Sequence, residues 1–466
     1  MKNIYFVIFI AMSLLSCDNF LDIKPYGKIV PKTPEEFSAL LHNHLNDIDE
    51  GSDNLLVGNI STLVTYDVGC GDDFEACLTQ KGGQSLSFYV GNYLSGPYTI
   101  TMYMRLYEVI RDCNIVIDNL KDDGSKDANT MLATAYSMRA VCYYQLLRCY
   151  CEAPEKGKMD AQLGLPLVKT FSLEDRPIRS SMQQTVDFIA SDLQKAISYH
   201  SHNELYRFTE NVSRGYLARL YFWTEQWDKV LPLTQGLLKA YPILQLGNYT
   251  KVMREPFKLG SNQLIKSYRT SSGMNSDLVA SLLTIKYRPV SQRFLSYFSS
   301  NDTANDVRYK MYVDNMRMAV KTIFCGMRSE EFKLMQAECY AHLGKVQEAL
   351  AQLNELRRDR IKDCKAYTLQ TLPAINDMEL ITVDAEGKSL TRLMAAILGE
   401  RRKELFFEGD RFFELKRNGS PVFWTAYQSM KYTTLKYMYT FPIPISELEK
   451  ISGIKQNPGY EEIITN

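Results

Sequence analysis

The sequence predicts a mainly α-helical fold, in which stacked helical hairpins carry long irregular loops and a few short strands. Apolar residues recur at three- and four-residue steps in several stretches, as on the buried face of a helix. Long stretches rich in Gly, Ser, Asn, Asp and Tyr lie between them. The 466 residues are 45% hydrophobic, which is ample for one large core or two fused ones and excludes a disordered chain.

The N-terminus has the pattern of a lipoprotein signal. Lys2 precedes an apolar run over residues 4–15, and a small residue comes just before Cys17. A membrane-spanning helix needs about 20 apolar residues, so we interpret residues 1–16 as a signal peptide that is removed. A lipid on Cys17, with residues 17–30 as a tether, then anchors the exported chain to a membrane.

Charge and cysteine content exclude other classes of protein. Lys+Arg and Asp+Glu are equal at 54 each, and no basic stripe is present, so we expect no nucleic acid partner. Of the ten cysteines, lipidation of one leaves an odd number, which argues against a full set of disulfides. Buried thiols are favoured, with a bridge involving Cys70 and Cys77, or the pair Cys149/Cys151, as the alternative.

The helices follow in order along the chain. A first amphipathic helix runs onward from Tyr103, and residues 131–150 are apolar nearly all round, as in a helix packed on several sides. Ser181 and Gln184 predict a capping box at the start of another helix. The apolar face of the first helix comprises Leu106, Ile110, Cys113, Ile117 and Leu120.

Two helical hairpins resemble tetratricopeptide units. Gly344 marks the turn of the clearer one, and small residues in both let paired helices approach. Trp223 and Trp227 are interpreted as core residues rather than ligand platforms, and Trp424 is left unassigned. The supporting residues are Ala337, Tyr340, Leu343, Ala349, Leu350 and Leu353 in one unit, and Ala218, Tyr221, Trp227, Val230 and Leu237 in the more degenerate one.

The C-terminal part carries the most specific motifs. Residues 400–417 predict a helix that ends at Gly409 and a second helix that begins at Asp410. Residues 441–447 and 456–460 contain prolines that forbid a regular helix. Together these three segments resemble the C-terminal signature of the SusD/RagB family of outer-membrane nutrient-binding lipoproteins.

The resemblance covers almost the whole mature chain. One departure is Tyr103, where many members of the family carry Trp, and another is the shortage of Trp in the long loops. Further matching positions are Cys17 to Asp22, Leu106, Tyr107, Asn114, Arg139, Ala140, Tyr143, Tyr144, Tyr150, Pro154, Gly164 to Leu167, Arg328, Glu330, Ala337 and Glu338.

The family resemblance implies a fold and a function. The expected fold is a single domain over residues 31–466, a right-handed stack of tetratricopeptide-like helices whose C-terminal SusD/RagB segment begins at about 260. The expected protein is lipid-anchored at the outer-membrane cell surface, needs no cofactor, and captures oligosaccharides for a SusC-like TonB-dependent transporter. Capture of peptides, or a tethered protein-interaction scaffold without a small ligand, are the alternatives.

The family pattern fixes no ligand residue, so candidates come from chemistry. Sugars bind to aromatic faces and to Asp, Asn and Arg side chains, and long irregular loops are commonly functional. We predict irregular structure over residues 65–97 and 247–325. The first loop supplies Tyr66, Asp67, Asp72, Asp73, Tyr89, Asn92, Tyr93 and Tyr98, and the second supplies Tyr268, Arg269, Tyr287, Arg288 and Arg293.

Metal binding and catalysis have little support. The pairs His42/His44 and His200/His202 have no third ligand at a recognisable spacing, so they are interpreted as solvated loop residues and no metal site is assigned. Asp72 and Asp73 leave a calcium site open as the lesser alternative.

Three glutamates raise the question of an enzyme. Glu400, Glu404 and Glu408 share a helical face, as paired glycosidase carboxylates do. We interpret them as a structural ion-pair network with Arg401, Arg402 and Arg411, and predict no enzyme, since no hydrolase, phosphate-loop or dinucleotide motif is present.

Overall fold

Helices dominate the computed structural model, which describes residues 31–50, 55–75, 97–172, 174–255, 258–267, 288–427 and 430–460. None of the helices in these ranges is long and apolar enough to cross a membrane. The α-helices are α1 Pro34–Glu50, α2 Ile60–Leu63, α3 Pro97–Asn119, α4 Lys126–Tyr150, α5 Met182–Ser198, α6 Glu210–Trp223, α7 Trp227–Ala240, α8 Leu246–Met253, α9 Gln292–Leu295, α10 Ser300–Asn305, α11 Val307–Tyr312, α12 Ser329–His342, α13 Val346–Arg358, α14 Arg392–Glu404, α15 Arg411–Arg417 and α16 Ile445–Lys450.

Short antiparallel strand pairs join the helices. Within the described residues, β1 Leu163–Pro166 pairs with β2 Arg179–Ser181, and β3 Gln263–Lys266 pairs with β4 Gly326–Arg328. A hairpin of β5 Phe423–Tyr427 and β6 Met430–Thr434 follows the last long helices. These elements confirm the prediction of a mainly α fold with a few short strands.

The predicted N-terminal helices are present, and each has a local cause. α3 begins at Pro97, six residues before the predicted start, and α4 is buried on nearly every side. Ser125 caps α4, because its side chain accepts a hydrogen bond from the amide of Ala128. The predicted capping box between Ser181 and Gln184 is formed at the start of α5.

Both predicted helical hairpins are confirmed. α6 packs on α7, and α12 packs on both α7 and α13, so the two units form a continuous stack. Gly344 adopts φ +73° in the turn between α12 and α13, a conformation that glycine reaches without a steric penalty. Trp223 and Trp227 are 5% and 3% exposed, as predicted for core residues, and Trp227 stacks on His342 with ring centroids 4.3 Å apart.

Several local predictions need correction. The stretch 247–325 is not wholly irregular, since it contains most of α8, all of β3 and α9 to α11, elements of four to eight residues. His42 and His44 lie on α1 rather than in a loop, and His44 Nε2 is 2.9 Å from a carboxylate oxygen of Asp112. His200 is exposed in a turn, as predicted.

The described thiols are free. Cys149 and Cys151 are buried without a bridge, and so is Cys70, which confirms the buried-thiol interpretation at these positions. The proposed partner of Cys70, Cys77, lies outside the described residues.

The C-terminal motif bends earlier than predicted. α14 ends at Glu404, and the turn that follows reaches Gly409, which adopts φ +78°. Asp410 precedes α15 but makes no capping hydrogen bond. Its carboxylate instead accepts two hydrogen bonds from Arg401, at 2.6 and 2.9 Å.

A buried ionic cluster joins this motif to the rest of the C-terminal half. The carboxylate of Glu404 is fully buried and accepts hydrogen bonds from three guanidinium groups that are also buried. The donors are Arg308 Nη1 at 3.1 Å, Arg328 Nη1 at 2.8 Å and Arg360 Nε at 3.0 Å. Glu404 therefore ties α14 to α11, to β4 and to the end of the second hairpin.

The neighbouring glutamates are ion-paired as well. Glu400 accepts hydrogen bonds from Lys403 and Arg308, at 2.7 and 2.8 Å, and Glu408 pairs with Arg328. The predicted structural network is thus confirmed, but its arginines are not the predicted ones. Arg401, Arg402 and Arg411 pair with other carboxylates, because the helix turns their side chains away from the glutamate face.

We expect the folded state to lose stability steeply in acid. Burial opposes ionisation of Glu338 and Glu400, but the basic groups around each acid, led by Arg417 and Lys403 respectively, together outweigh it and lower each pKa to about 2. Each group binds fewer protons in the folded than in the unfolded state, so its stabilisation is complete above about pH 4.5 and is lost as the pH falls toward about 2.

Urea denaturation at neutral pH and at about pH 3 measures this loss. The matched variant Glu400→Gln removes one of the two groups, so its unfolding free energy should change less between the two pH values. An identical pH dependence in the variant and the wild type would contradict the assignment.

Candidate functional site

The two candidate ligand loops are rooted side by side. Glu75 is the last described residue before positions 76–96, and Arg288 is the first after positions 268–287. The amide of Glu75 donates to the carbonyl of Pro289 at 2.9 Å, and Phe74 forms an antiparallel bridge with Val290. The chain just before position 76 and the chain just after position 287 therefore lie side by side, although they are about 200 residues apart in sequence.

Backbone and hydroxyl hydrogen bonds strengthen this junction. The amide of Ser291 donates to the carbonyl of Asp73 at 2.8 Å, and its hydroxyl donates to the carbonyl of Asp72 at 2.7 Å. Arg288 Nη1 donates to the carbonyl of Val68 at 2.7 Å. The junction is thus a small, closely bonded unit, with few backbone groups left unpaired.

Two arginines of the C-terminal motif form ion pairs with the acidic residues of the junction. Arg402 Nε donates to Asp73 at 2.8 Å, and Arg411 Nε donates to Asp72 at 2.7 Å. Glu379 accepts from both arginines, at 2.8 and 2.6 Å. All five side chains are at least nine-tenths buried. We call residues 72–75 and 288–291, with Glu379, Arg402 and Arg411, the loop base.

Burial and neighbouring charges shift the pKa values of the acidic residues in and beside the loop base. Burial opposes ionisation of Asp72, yet Arg402 and Arg411 hold its pKa below the usual value. Burial raises the pKa of Asp73. Burial, together with the charge of Asp73, also raises the pKa of the nearby Asp67 well above its usual range.

Five predicted ligand residues turn out to be internal. Asp72, Asp73 and Arg288 are about 2% exposed or less and are used inside the loop base. Asp67 is fully buried and accepts a hydrogen bond from the amide of Gly409 at 2.8 Å. Tyr66 is 7% exposed and packs between two phenylalanines of the C-terminal motif, Phe412 and Phe413.

These five side chains are therefore engaged inside the protein rather than exposed at its surface. The carboxylates of Asp72 and Asp73 are engaged by Arg402 and Arg411, so they do not form the calcium site left open above. One signal was present, since the motif 400–417 contains six basic residues and only five acidic ones, so that at least one basic group needs an acidic partner elsewhere if the motif is buried.

The other candidate ligand residues are not part of the loop base, and only two of them lie within the described residues. Arg293 is half-buried on the short helix α9, directly after the loop base, and Tyr98 is the second residue of α3. These two positions are compatible with a site near the loops. The remaining candidates, Tyr89, Asn92, Tyr93, Tyr268, Arg269 and Tyr287, lie outside the described residues.

A cleft of about 210 Å³ opens next to the loop base, and the sequence analysis did not identify it. Tyr297 and Tyr367 contribute aromatic rings, and Asn376 and Asp302 contribute polar groups. The hydroxyl of Tyr297 donates to Glu379, which links the cleft directly to Arg402 and Arg411. Aromatic walls with a few polar groups are typical of small-molecule sites.

The walls of the cleft are fixed by packing. Gly399 on α14 lies against Tyr297, and a Cβ atom there would be 2.6 Å from the ring. The guanidinium of Arg357 lies 3.4 Å from the ring centroid of Tyr367, a cation–π contact. Asn376 Nδ2 donates to the hydroxyl of Ser296 at 2.8 Å. A ligand would meet preformed rings rather than mobile ones.

The carboxylates near the cleft are poorly suited to catalysis. Glu400 lines it but is ion-paired with Lys403 and has a pKa of about 2, whereas a general acid needs a pKa near the working pH. Glu379 also has a lowered pKa, because Arg411 and Arg402 outweigh the effect of its burial.

Comparisons with known proteins agree with this architecture. A family model described as starch-binding associating with outer membrane matches residues 19–222, and a SusD family model matches residues 298–460. SusD-like protein P25 of Formosa agariphila is 23% identical over 267 residues. That match covers 54% of this chain and 48% of P25, so the chain spans about half the length of this relative.

Solved structures show the same fold. A SusD superfamily protein from Bacteroides vulgatus has a TM-score of 0.70 at 20% identity, covering 92% of this chain and 100% of that one. One from Bacteroides fragilis has a TM-score of 0.70 at 19% identity over the same shares. A laminarin-binding SusD-like protein has a TM-score of 0.58 at 16% identity, covering 92% of this chain and 99% of that one.

Arg411→Met should destabilise the protein strongly. The substitution leaves Asp72 and Glu379 buried with less compensating charge, and breaking a buried ion pair typically costs about 3–5 kcal/mol. Urea denaturation followed by circular dichroism measures the change in unfolding free energy. Arg111→Met is the matched control, since its side chain is 53% exposed and its pair should contribute less than about 1 kcal/mol. Equal losses in the two variants would exclude a structural role for the loop base.

Proposed function

Because this chain belongs to the SusD/RagB family, we propose that it captures oligosaccharides at the cell surface and delivers them to a SusC-like TonB-dependent transporter. The main supporting observation is the loop base, in which the residues that border both candidate loops meet beside a preformed cleft. A lipid on Cys17 is proposed to anchor the protein to the outer membrane, with residues 17–30 as the tether. Residues 31–466 are proposed to act as one domain.

The chemistry of this region supports a sugar ligand. Tyrosine rings offer faces for the apolar C–H surface of a sugar, and amide, guanidinium and carboxylate groups hydrogen-bond to its hydroxyls. The cleft contributes Tyr297, Tyr367 and Asn376. The proposed loop contacts are Tyr89, Asn92, Tyr93, Tyr98, Tyr268, Arg269, Tyr287 and Arg293.

The proposal contains no catalytic step and no cofactor. Glu400 and Glu404 are committed to ion pairs with basic side chains, and both have lowered pKa values because those basic groups outweigh burial. A glycosidase needs one carboxyl with a raised pKa to protonate the leaving group. Bound oligosaccharide should therefore be recovered intact.

A thermal-shift screen tests the proposal. The protein starting at Asp18 is heated with neutral oligosaccharides, acidic oligosaccharides or peptides, and a ligand of the native state raises the melting temperature by an amount that grows with RT ln(1 + [L]/Kd). We expect a concentration-dependent rise with one class of oligosaccharide. A rise with peptides alone would establish the peptide alternative, and no rise with any class would favour a protein-interaction scaffold.

Two tyrosine substitutions separate ligand contact from support. Tyr93→Ala should weaken oligosaccharide binding and change stability by no more than about 0.5 kcal/mol, as for a surface position. Tyr66→Ala should instead cost about 3 kcal/mol or more, because it empties a buried aromatic site. Calorimetric titration and urea denaturation of both variants measure the two effects. Loss of stability in Tyr93→Ala with unchanged binding would place Tyr93 in the core.

A further inference from the structure

A large groove lies apart from the loop base and its cleft. Its volume is about 1140 Å³, and it shares no lining residue with the cleft. It is bordered by residues 152–158 after α4, by the turn between α6 and α7, by residues 384–388, and by residues 435–440 after the β5–β6 hairpin. Sites for single small molecules usually measure about 300–1000 Å³, so this groove has room for a chain of several units.

The walls of the groove are held in place by internal hydrogen bonds. Lys416 Nζ donates to the carbonyls of Arg148 and Cys151, both at 2.6 Å, and so fixes the chain that leaves α4. The opposite wall is a closed turn, in which the amide of Lys388 donates to the Asp384 carboxylate at 2.9 Å. A groove with fixed walls loses little conformational entropy when a ligand binds.

Tyr437 supplies an aromatic surface. Its ring meets Tyr460 edge to face, with centroids 5.1 Å apart. Gly459 adopts φ +90° beside it, and a Cβ atom there would be 2.5 Å from Cγ of Tyr437. The ring is half-buried and its orientation is set by this packing. Fixed aromatic rings that line a groove suit the apolar face of a sugar.

The groove also contains polar groups whose hydrogen bonds are incomplete. Glu225 Oε2 and Arg417 Nη1 have no hydrogen-bond partner among the described residues, and both residues line the groove. Glu225 has φ +58°, a strained conformation that tends to occur at functional sites. Both unpaired atoms are themselves buried in the wall, so they do not contact a ligand in the groove directly.

Exposed lysines surround the opening. The side chains of Lys156 and Lys388 are 69% and 70% exposed, and both pair with Glu386. Exposed pairs of this kind contribute little to stability. Their ammonium groups are therefore free to exchange an ion pair for hydrogen bonds to a ligand.

We propose that this groove is a second oligosaccharide-binding site, which holds a sugar chain against Tyr437 while the loops bind another part of the same or a second chain. The ligand class rests on the proposed function. The location rests on the groove itself, on its fixed aromatic wall and on the exposed lysines at its opening.

The test compares groove variants with loop variants. Tyr437→Ala removes the aromatic wall, Tyr437→Phe retains it, and Ala153→Trp places a bulky side chain at another lining position of the groove. The loop variants are Tyr89→Ala and Tyr93→Ala, and the exposed change Lys121→Ala is the control. The probes for calorimetric titration are oligosaccharides of about six units, prepared from laminarin, starch and xylan as neutral chains and from polygalacturonate and alginate as acidic chains.

A groove site predicts a specific pattern. Tyr437→Ala and Ala153→Trp should each weaken one binding event about tenfold or more, Tyr437→Phe should preserve it, and the loop variants should leave it unchanged. Hydrogen exchange should slow on binding in residues 152–158 and 384–388. Comparing the affinities of neutral and acidic probes shows whether the lysines favour a charged chain. Binding of either kind of probe with this pattern of variant effects supports the proposal.

The opposite results overturn it. If the loop variants abolish all binding and the groove variants bind like the wild type, the groove proposal fails while oligosaccharide capture stands. Unchanged exchange in both groove segments during wild-type binding has the same meaning. If no probe binds the wild type, both proposals fail.

Discussion

The structure around the candidate site depends on the ion pairs that Arg402 and Arg411 make with Asp72 and Asp73. The two acids precede one candidate loop, and the two arginines belong to the C-terminal motif more than 300 residues later. Because both sides are buried, separating them leaves charges without solvent, which is far more costly than losing an exposed pair. The position of the loop base relative to the C-terminal motif is therefore fixed by electrostatics as well as by packing.

The same motif also organises the C-terminal half through Glu404. One face of α14 carries Glu400 and Glu404 toward Arg308 and Arg360, while Arg402 on another face reaches the loop base. Apolar side chains can slide and repack against each other. Charged groups that share several hydrogen bonds fit together in only a few relative positions. This charged motif is therefore the joint between the repeats, the loop base and the cleft.

Local sequence signals predicted most of the helices correctly. The features that were not predicted depend on contacts between residues far apart in the sequence. The apolar periodicity of α3, the capping box at Ser181 and the turn at Gly344 depend on neighbours in sequence. The short helices α9 to α11 span less than two turns each, too few for a period to show. Asp72 and Asp73 were assigned to the surface because the arginines that make their burial possible lie far along the chain. The cleft was missed because it joins one face of α14 to segments that are distant in sequence and have no regular pattern.

The common root of the two loops has a consequence for how such proteins diversify. The residues just before segment 76–96 and just after segment 268–287 are held together by backbone hydrogen bonds, and inward-facing charges fix Asp72 and Asp73. Changes within the two segments therefore leave this joint intact, and a change in loop length costs little in entropy. The scaffold acts as a constant socket for interchangeable inserts, so the inserts can diverge in sequence without a new fold.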